Sequence, residues 1–226
     1  TIQEGKELAS LIQDIGENFN VKSDIVFTSM DQPLGWYAGL WCEIKEAIDC
    51  LRNEGSNDTM EVTFALGAKL LLQAQIVSNE DEALILQQQL IESGYALEKF
   101  LKMITIHDGS LSDIASLHTL HLPKEETVLS AERPGYITNM NTLLIGLAHC
   151  ELGCGRKKLS DILDPTAGIE FYHKIGDEVL EGEPLMRLFN TDKEKLDKAL
   201  KLLKDSVQID ENKLQHHLIL GDNMAN

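Results

Sequence analysis

The side chains best suited to chemistry are His149, Cys150 and Cys154, the adjacent pair His216 and His217, the triplet Thr191-Asp192-Lys193, and the 37 carboxylates spread over 226 residues. "HCELGC" crowds an imidazole and two thiols, the donor types that bind zinc. A structural zinc site, however, wants four tetrahedral ligands, usually from two closely spaced pairs. Only one such pair is present, and Cys150 and Cys154 lie one turn apart across an expected helix end, where small buried thiols are ordinary. His216 and His217, read as extended, point to opposite faces and cannot grip one ion. The sequence contains no Gly-rich phosphate loop, G-x-S-x-G elbow or H-E-x-x-H motif. With so many carboxylates, a close pair reads as a solvated face before it reads as an acid/base couple. No catalytic residue is assigned within this chain.

The elements that must position these groups change character along the chain. Leu8, Leu11, Ile12 and Ile15 make one apolar stripe at helical spacing, with Gly16 marking the expected helix end. The run "DIVFT" has the length and β-branched content of a buried parallel strand, so helix, strand and helix together suggest an α/β unit. Trp41, Ile44, Ile48 and Leu51 continue at helical spacing. Asp58 with Glu61, and Ser78 with Asp81, resemble capping boxes that open two further helices, and another short helix is expected over about 95–105. Residues 1–105 are thus mostly helical, 106–126 read as a linker, and 127–226 read as a compact α+β domain. In that domain "TVLSAE", "GYITNM" and "GIEFYH" are short extended runs, and "KIGDEVLEGEPLMRLFN" reads as two short strands around Gly-bearing turns, with Asp177 and Gly182 as turn residues. Leu196, Leu200 and Leu203 mark a helix, and "LQHHLIL" returns to strand.

Charge narrows the partners. Twenty Lys and Arg against 37 Asp and Glu leave a net charge of −17, which repels phosphate backbones and anionic lipid. Nucleic acid and membrane are therefore not expected as partners, and no basic-then-apolar leader opens the sequence. A cytoplasmic protein with reduced thiols at Cys42, Cys50, Cys150 and Cys154 is expected. Arg156, Lys157 and Lys158 form the densest basic spot. They are read as cations at the negative end of a helix rather than as an anion nest.

Two resemblances bear on function. "GDEVLEGEPLMRLFNTDKEK" is similar to the turn-and-lysine arrangement of lipoyl carrier domains, which would make Lys193 a modified lysine on an exposed hairpin. The following "EKLDKALKLLKD" has helical rather than strand periodicity, so Lys193 is expected at a helix start and unmodified. A lipoyl- or biotin-like carrier, or a non-catalytic binding module built on the C-terminal domain, is the alternative reading.

The stronger resemblance begins at "SMDQPLGWYAGLWCEIKEAI". It looks like the "DM-x-QPLG-x-x-x-GN-x-x-EV-x-EA" segment of thymidine and pyrimidine-nucleoside phosphorylases. It continues co-linearly through "GYITNMNTLLIGLAHCELGCGRKK" and "LDPTAGIEFYHKIGDEVLEGEPL". The resemblance implies the C-terminal part of the phosphorylase α/β domain followed by a barrel-like, α/β-hammerhead C-terminal subdomain. It also implies a homodimer that cleaves a pyrimidine nucleoside with phosphate to free base and ribose or deoxyribose 1-phosphate. In that family the phosphate- and base-holding groups lie in the first half of the polypeptide, so the 226-residue chain alone is expected to be inactive. The loop at 28–39 would cap a strand facing the substrate cleft. By the same resemblance it would hold a monovalent cation, potassium, through the carbonyls of Leu34 and Tyr37 and the carboxylate of Glu46. Hard oxygen donors suit such an ion. The sequence departs from the family at Leu40, where an Asn is usual. The simpler reading of Glu46 is a solvent-facing helix residue.

Overall fold

The computed structural model describes residues 1–109 and 119–220. The first stretch is helical as the periodicity requires: α1 (Ile2–Asn18), α2 (Trp41–Leu51), α3 (Asn57–Gln73), α4 (Glu80–Glu92) and α5 (Tyr95–Ile106), with one short strand, β1 (Tyr37–Gly39). The second alternates strand and helix: β2 (Glu125–Ser130), β3 (Gly135–Met140), α6 (Thr142–Leu152), β4 (Gly168–Phe171), β5 (Glu178–Val179), β6 (Pro184–Asn190), α7 (Lys193–Leu203) and β7 (Val207–Asp210). The expected linker at 106–126 falls partly on 110–118, outside the described residues. No helix among the described residues is long and apolar enough to cross a membrane.

Local chemistry sets the ends of several helices. Thr1 and Glu4 form a reciprocal capping box at the start of α1, and Asn141 caps α6 by accepting from the Leu144 amide at 3.1 Å. Two expected caps move. α4 is capped by Asn79, which accepts from the Glu82 amide at 2.9 Å, while Glu82 takes the Ser78 amide at 2.8 Å. The box therefore runs one residue later than Ser78 with Asp81. At α3 the N-cap is Ser56, and Asp58, inside the first turn, is turned toward another partner.

The strands form two antiparallel sheets, of order β1-β4-β6-β2 and β5-β3-β7. This corrects the expectation of a parallel α/β unit in the first half. The run at 24–28 makes one isolated antiparallel bridge, Thr28 with Ile219, flanked by Ser29 N–H to Leu218 and Leu220 N–H to Phe27, both at 2.8 Å. With no parallel neighbour among the described residues, its ladder stops there. The same bridge is all that "LQHHLIL" contributes, whereas β7, just upstream of it, pairs with β3. Both sheets are open, so the described residues close no barrel.

The core lies almost wholly in the second half. Ile137, Leu152, Ile169, Phe171, Leu188 and Leu203 are at most 1 % exposed, packed between the sheets, α6 and α7. Each such side chain contributes about 1.5–3 kcal/mol on burial. The first half has no equivalent. The α1 stripe of Leu8, Leu11, Ile12 and Ile15 is about half exposed, and Phe19 is 76 % exposed. Residues on α3, α4 and α5, such as Leu70, Ile85 and Ile106, are also open.

An apolar helix face left in water adds little stability to its own fold. Amides in α1 and α3 to α5 should therefore exchange with deuterium at least about tenfold faster than those in β4, β6 and α7, reflecting lower local opening energies. Equal protection in both halves would contradict this.

Candidate functional site

The loop at 28–39 ends in β1, which pairs with β4 in the register Tyr37 opposite Glu170. Gly35 makes its turn at φ +74°, and a Cβ there would lie 2.6 Å from Glu46 Oε2. Only glycine combines that backbone with so close an approach. Glu46, on α2, is turned back onto the loop. Its Oε1 accepts the Trp36 N–H at 2.7 Å and its Oε2 the Tyr37 N–H at 3.3 Å. At 7 % exposure it is not the solvent-facing residue of the simpler expectation. Leu40 is the N-cap of α2 and supplies no side-chain hydrogen bond, and Glu43 instead reaches back to the Gly39 amide at 2.7 Å.

The loop's oxygens meet a cation from far along the chain. Lys174 follows β4 and donates from Nζ to the Pro33 carbonyl at 2.6 Å and to the Gly35 carbonyl. It also pairs with Asp58 Oδ2 at 3.2 Å. The Trp36 and Phe171 rings lie 5.5 and 5.7 Å from the ammonium. Asp58 completes the circuit by accepting the Gly35 N–H at 3.0 Å. The three N–H donors of an ammonium are thus matched by three oxygens, and the side chain is only 11 % exposed. Burial pushes Lys174 below its ordinary value, against the pull of Asp58, Glu46 and Asp177. Burial would raise Asp58, but the Lys174 ammonium and the hydrogen bonds it accepts from Lys174 and Gly35 outweigh that and hold it below the usual carboxylate range. The neighbouring backbone is fixed as well: Ile175 N–H donates to Gln32 Oε1 at 2.8 Å, and Asp177 accepts the Lys174 N–H at 2.7 Å. Asp177 is the turn residue expected from the sequence.

A second polar row crosses the four-stranded sheet. The Tyr37 hydroxyl donates to Glu170 Oε1 at 2.9 Å, Arg187 Nε donates to Glu170 Oε2 at 2.7 Å, and Arg187 Nη1 reaches Glu126 at 3.0 Å. This row runs through β1, β4, β6 and β2 in order and fastens the loop's strand to the second half. Burial, then the Glu170 hydrogen bond, keeps the Tyr37 phenol protonated. On one side of the loop is a depression of about 400 Å³ lined by Trp36, Tyr37, Glu46, Glu170, Phe171 and Tyr172. On the other is a mostly apolar groove of about 490 Å³ with Met30, Pro33, Leu34, Ile145 and His149 on its walls. The loop contributes residues to both concave surfaces, and its peptide groups are held by carboxylates and an ammonium.

The other sequence candidates separate. Burial pushes the Cys154 and Cys42 thiols up to about 12, and lowers the His149 imidazole, so these groups are neutral near pH 7. No group of three or more His, Cys, Asp or Glu able to hold a metal occurs among the described residues. His216 contacts Ser29 Oγ at 3.0 Å. Lys157 pairs with Glu151 near the end of α6, and Asp161 takes the Lys157 and Lys158 amides, while Gly153 in the left-handed region ends the helix. Lys193 is the first residue of α7, behind the Asp192 cap, and not in a hairpin, so the carrier reading is not favoured.

Residues 136–210 match the family model of the pyrimidine nucleoside phosphorylase C-terminal domain. The chain is 32 % identical over 209 residues to the pyrimidine-nucleoside phosphorylase of Staphylococcus haemolyticus, covering 92 % of this chain and 48 % of that protein. The Bacillus subtilis pyrimidine-nucleoside phosphorylase is matched to the same extent. With that of Staphylococcus aureus strain RF122 the match is again 32 %, over 219 residues, 97 % of this chain and 50 % of the relative. The chain spans about half the length of the curated relatives it matches.

The Asp58 carboxylate yields a pH test. Its folded pKa lies below the ordinary value of 3.8, so its contribution is present above that value and is lost as pH falls through 3.8 toward the folded value. Asp58→Asn should cost about 1–2 kcal/mol near neutral pH, a figure reduced for partial solvent access. Urea midpoints of parent and variant should converge below pH 3.8. A gap that stays constant across this range would contradict the assignment.

Proposed function

We propose that this chain, which carries the pyrimidine nucleoside phosphorylase C-terminal domain over residues 136–210, is the C-terminal part of an enzyme that cleaves pyrimidine nucleosides with phosphate. The products are free base and ribose or deoxyribose 1-phosphate. The single observation behind this reading is that the likeness to relatives of that name runs over 92–97 % of the chain, well beyond the domain itself, and includes the loop at 28–39. The same proposal includes the α/β-hammerhead form of the C-terminal subdomain, the division at 105 and 126, a homodimer, and a cytoplasmic location.

In this reading the chain's own residues do not break the glycosidic bond. They build the wall of a cleft. Glu46 and Glu43 hold the loop amides, Lys174 and Asp58 hold its carbonyls and turn, and the row from Tyr37 to Glu126 ties it to the sheet. A potassium ion belongs to the same proposal. Glu46 is buried against the loop that carries the Leu34 and Tyr37 carbonyls, and carboxylate and carbonyl oxygens are the donor types that suit a monovalent cation. In the full-length enzyme those three residues would supply three of its contacts, the others coming from the phosphate loop in the first half of the polypeptide, and it would add to the order of the loop.

The test is base release from uridine or thymidine by the whole gene product that contains this sequence. Release that requires phosphate and yields an equal amount of sugar 1-phosphate is expected, with none from the purified 226-residue chain alone. Turnover by that chain alone, or no phosphate-dependent release by the whole product, would overturn the reading.

A further inference from the structure

We propose that Lys174 is a positioning residue that serves the 32–37 loop as a tethered monovalent cation, supplying from within the chain the positive charge that the Pro33 and Gly35 carbonyl oxygens face. The observation is the convergence on one ammonium of two carbonyls of the same turn, Pro33 and Gly35, and one carboxylate, Asp58, from a separate helix. Carbonyl pairs with a nearby carboxylate are how a protein holds a hard cation. Here the cation is delivered on a side chain whose stem is almost fully covered.

The arrangement is directional. The Gly35, Trp36 and Tyr37 amides all point at carboxylates, Gly35 at Asp58 and the other two at Glu46. The Pro33 and Gly35 carbonyls point at Lys174, which is itself paired with Asp58. Two anions and one cation are thus matched to successive peptide groups of one turn, amides to carboxylates and carbonyls to the ammonium. Removing the cation leaves the Asp58 carboxylate and two carbonyls facing one another without a counter-charge, an uncompensated arrangement that opens readily. Trp36 and Phe171 flank the ammonium and restrict access by water. The role concerns the loop in this chain and stands whether or not the reaction proposed above is correct.

Hydrogen exchange at Gly35, Trp36 and Tyr37 in the 226-residue chain reads the loop directly, with β3 and β6 amides as the internal reference. Lys174→Met keeps the stem and removes the charge. Lys174→Ala also empties the channel. In both variants the three loop amides should exchange roughly tenfold faster or more, as expected when one partner of a buried pair is lost, while β3 and β6 keep the parent rates. Propylammonium chloride should restore protection to Lys174→Ala saturably, and tetramethylammonium chloride, which has no N–H to donate, should not. Lys174→Met, with its channel filled, should respond to neither salt. Parent-like protection in Lys174→Met would show that packing of the stem suffices and would overturn the proposal. Equal rescue of Lys174→Ala by both salts would overturn it too, because that is ionic strength and not a site. If Lys174→Ala does not fold, the comparison of Lys174→Met with the parent decides alone.

Discussion

An ammonium buried between the first and second halves of the chain is the constraint on which the site rests. Lys174 sits on the carbonyls of Pro33 and Gly35 and on the Asp58 carboxylate, and taking such a charge out of water is costly unless its partners are complete. Its partners are complete, and they come from a turn and a helix that are otherwise unrelated in sequence. The turn can present its carbonyls only because Gly35 takes a positive φ, and Gly35 in turn lets Glu46 close over the Trp36 and Tyr37 amides. The row from Tyr37 through Glu170 and Arg187 to Glu126 then carries the same rigidity across the sheet.

This placement explains how a poorly packed half can hold a well-formed loop. The hydrophobic core belongs to residues 131–209, whereas the helices of the first half bury little and expose apolar stripes. The loop does not depend on those helices alone. Its strand is an edge of the second-half sheet, and its turn is fixed by Lys174 and by the Ile175 amide on Gln32. In a chain of net charge −17, carboxylates are abundant, and the placement of a few cations decides which of them are structured. Glu46, Asp58 and Glu170 are ordered by amides or by Lys174 and Arg187, while most of the others can remain in water.

What the sequence disclosed follows the range of the interactions. Helices announced by three- and four-residue spacing, such as α1, α2 and α7, lie where the periodicity puts them, and the Asp177 turn follows from local rules. The run at 24–28 has strand composition, but pairing is a property of the neighbour, and here the neighbour is one residue of the 214–220 segment. β7 was hidden in "SVQID", a short run beside a helix end. Glu46 was legible as a loop residue through the family pattern, yet its partners proved to be amides. Asp58 looked like a helix cap because its spacing to Glu61 is local, while its actual partners lie 23 and 116 positions away. Lys174 carried no signal at all. Contacts spanning 139 and 141 residues leave no spacing to read, and the only hint was a lone cation between an apolar strand and a Gly-Asp turn.

The most direct measurement of this account is a double-mutant cycle between Asp58 and Lys174, using Asp58→Asn, Lys174→Met and the pair, with stability read from urea unfolding at neutral pH. Residues that share one buried network should show a coupling energy of about 1–3 kcal/mol, so that the second substitution costs much less once the first is made. Additive losses, with coupling near zero, would mean that the carboxylate and the ammonium act separately, and that the loop is held by its backbone ladder and not by the charge between the two halves.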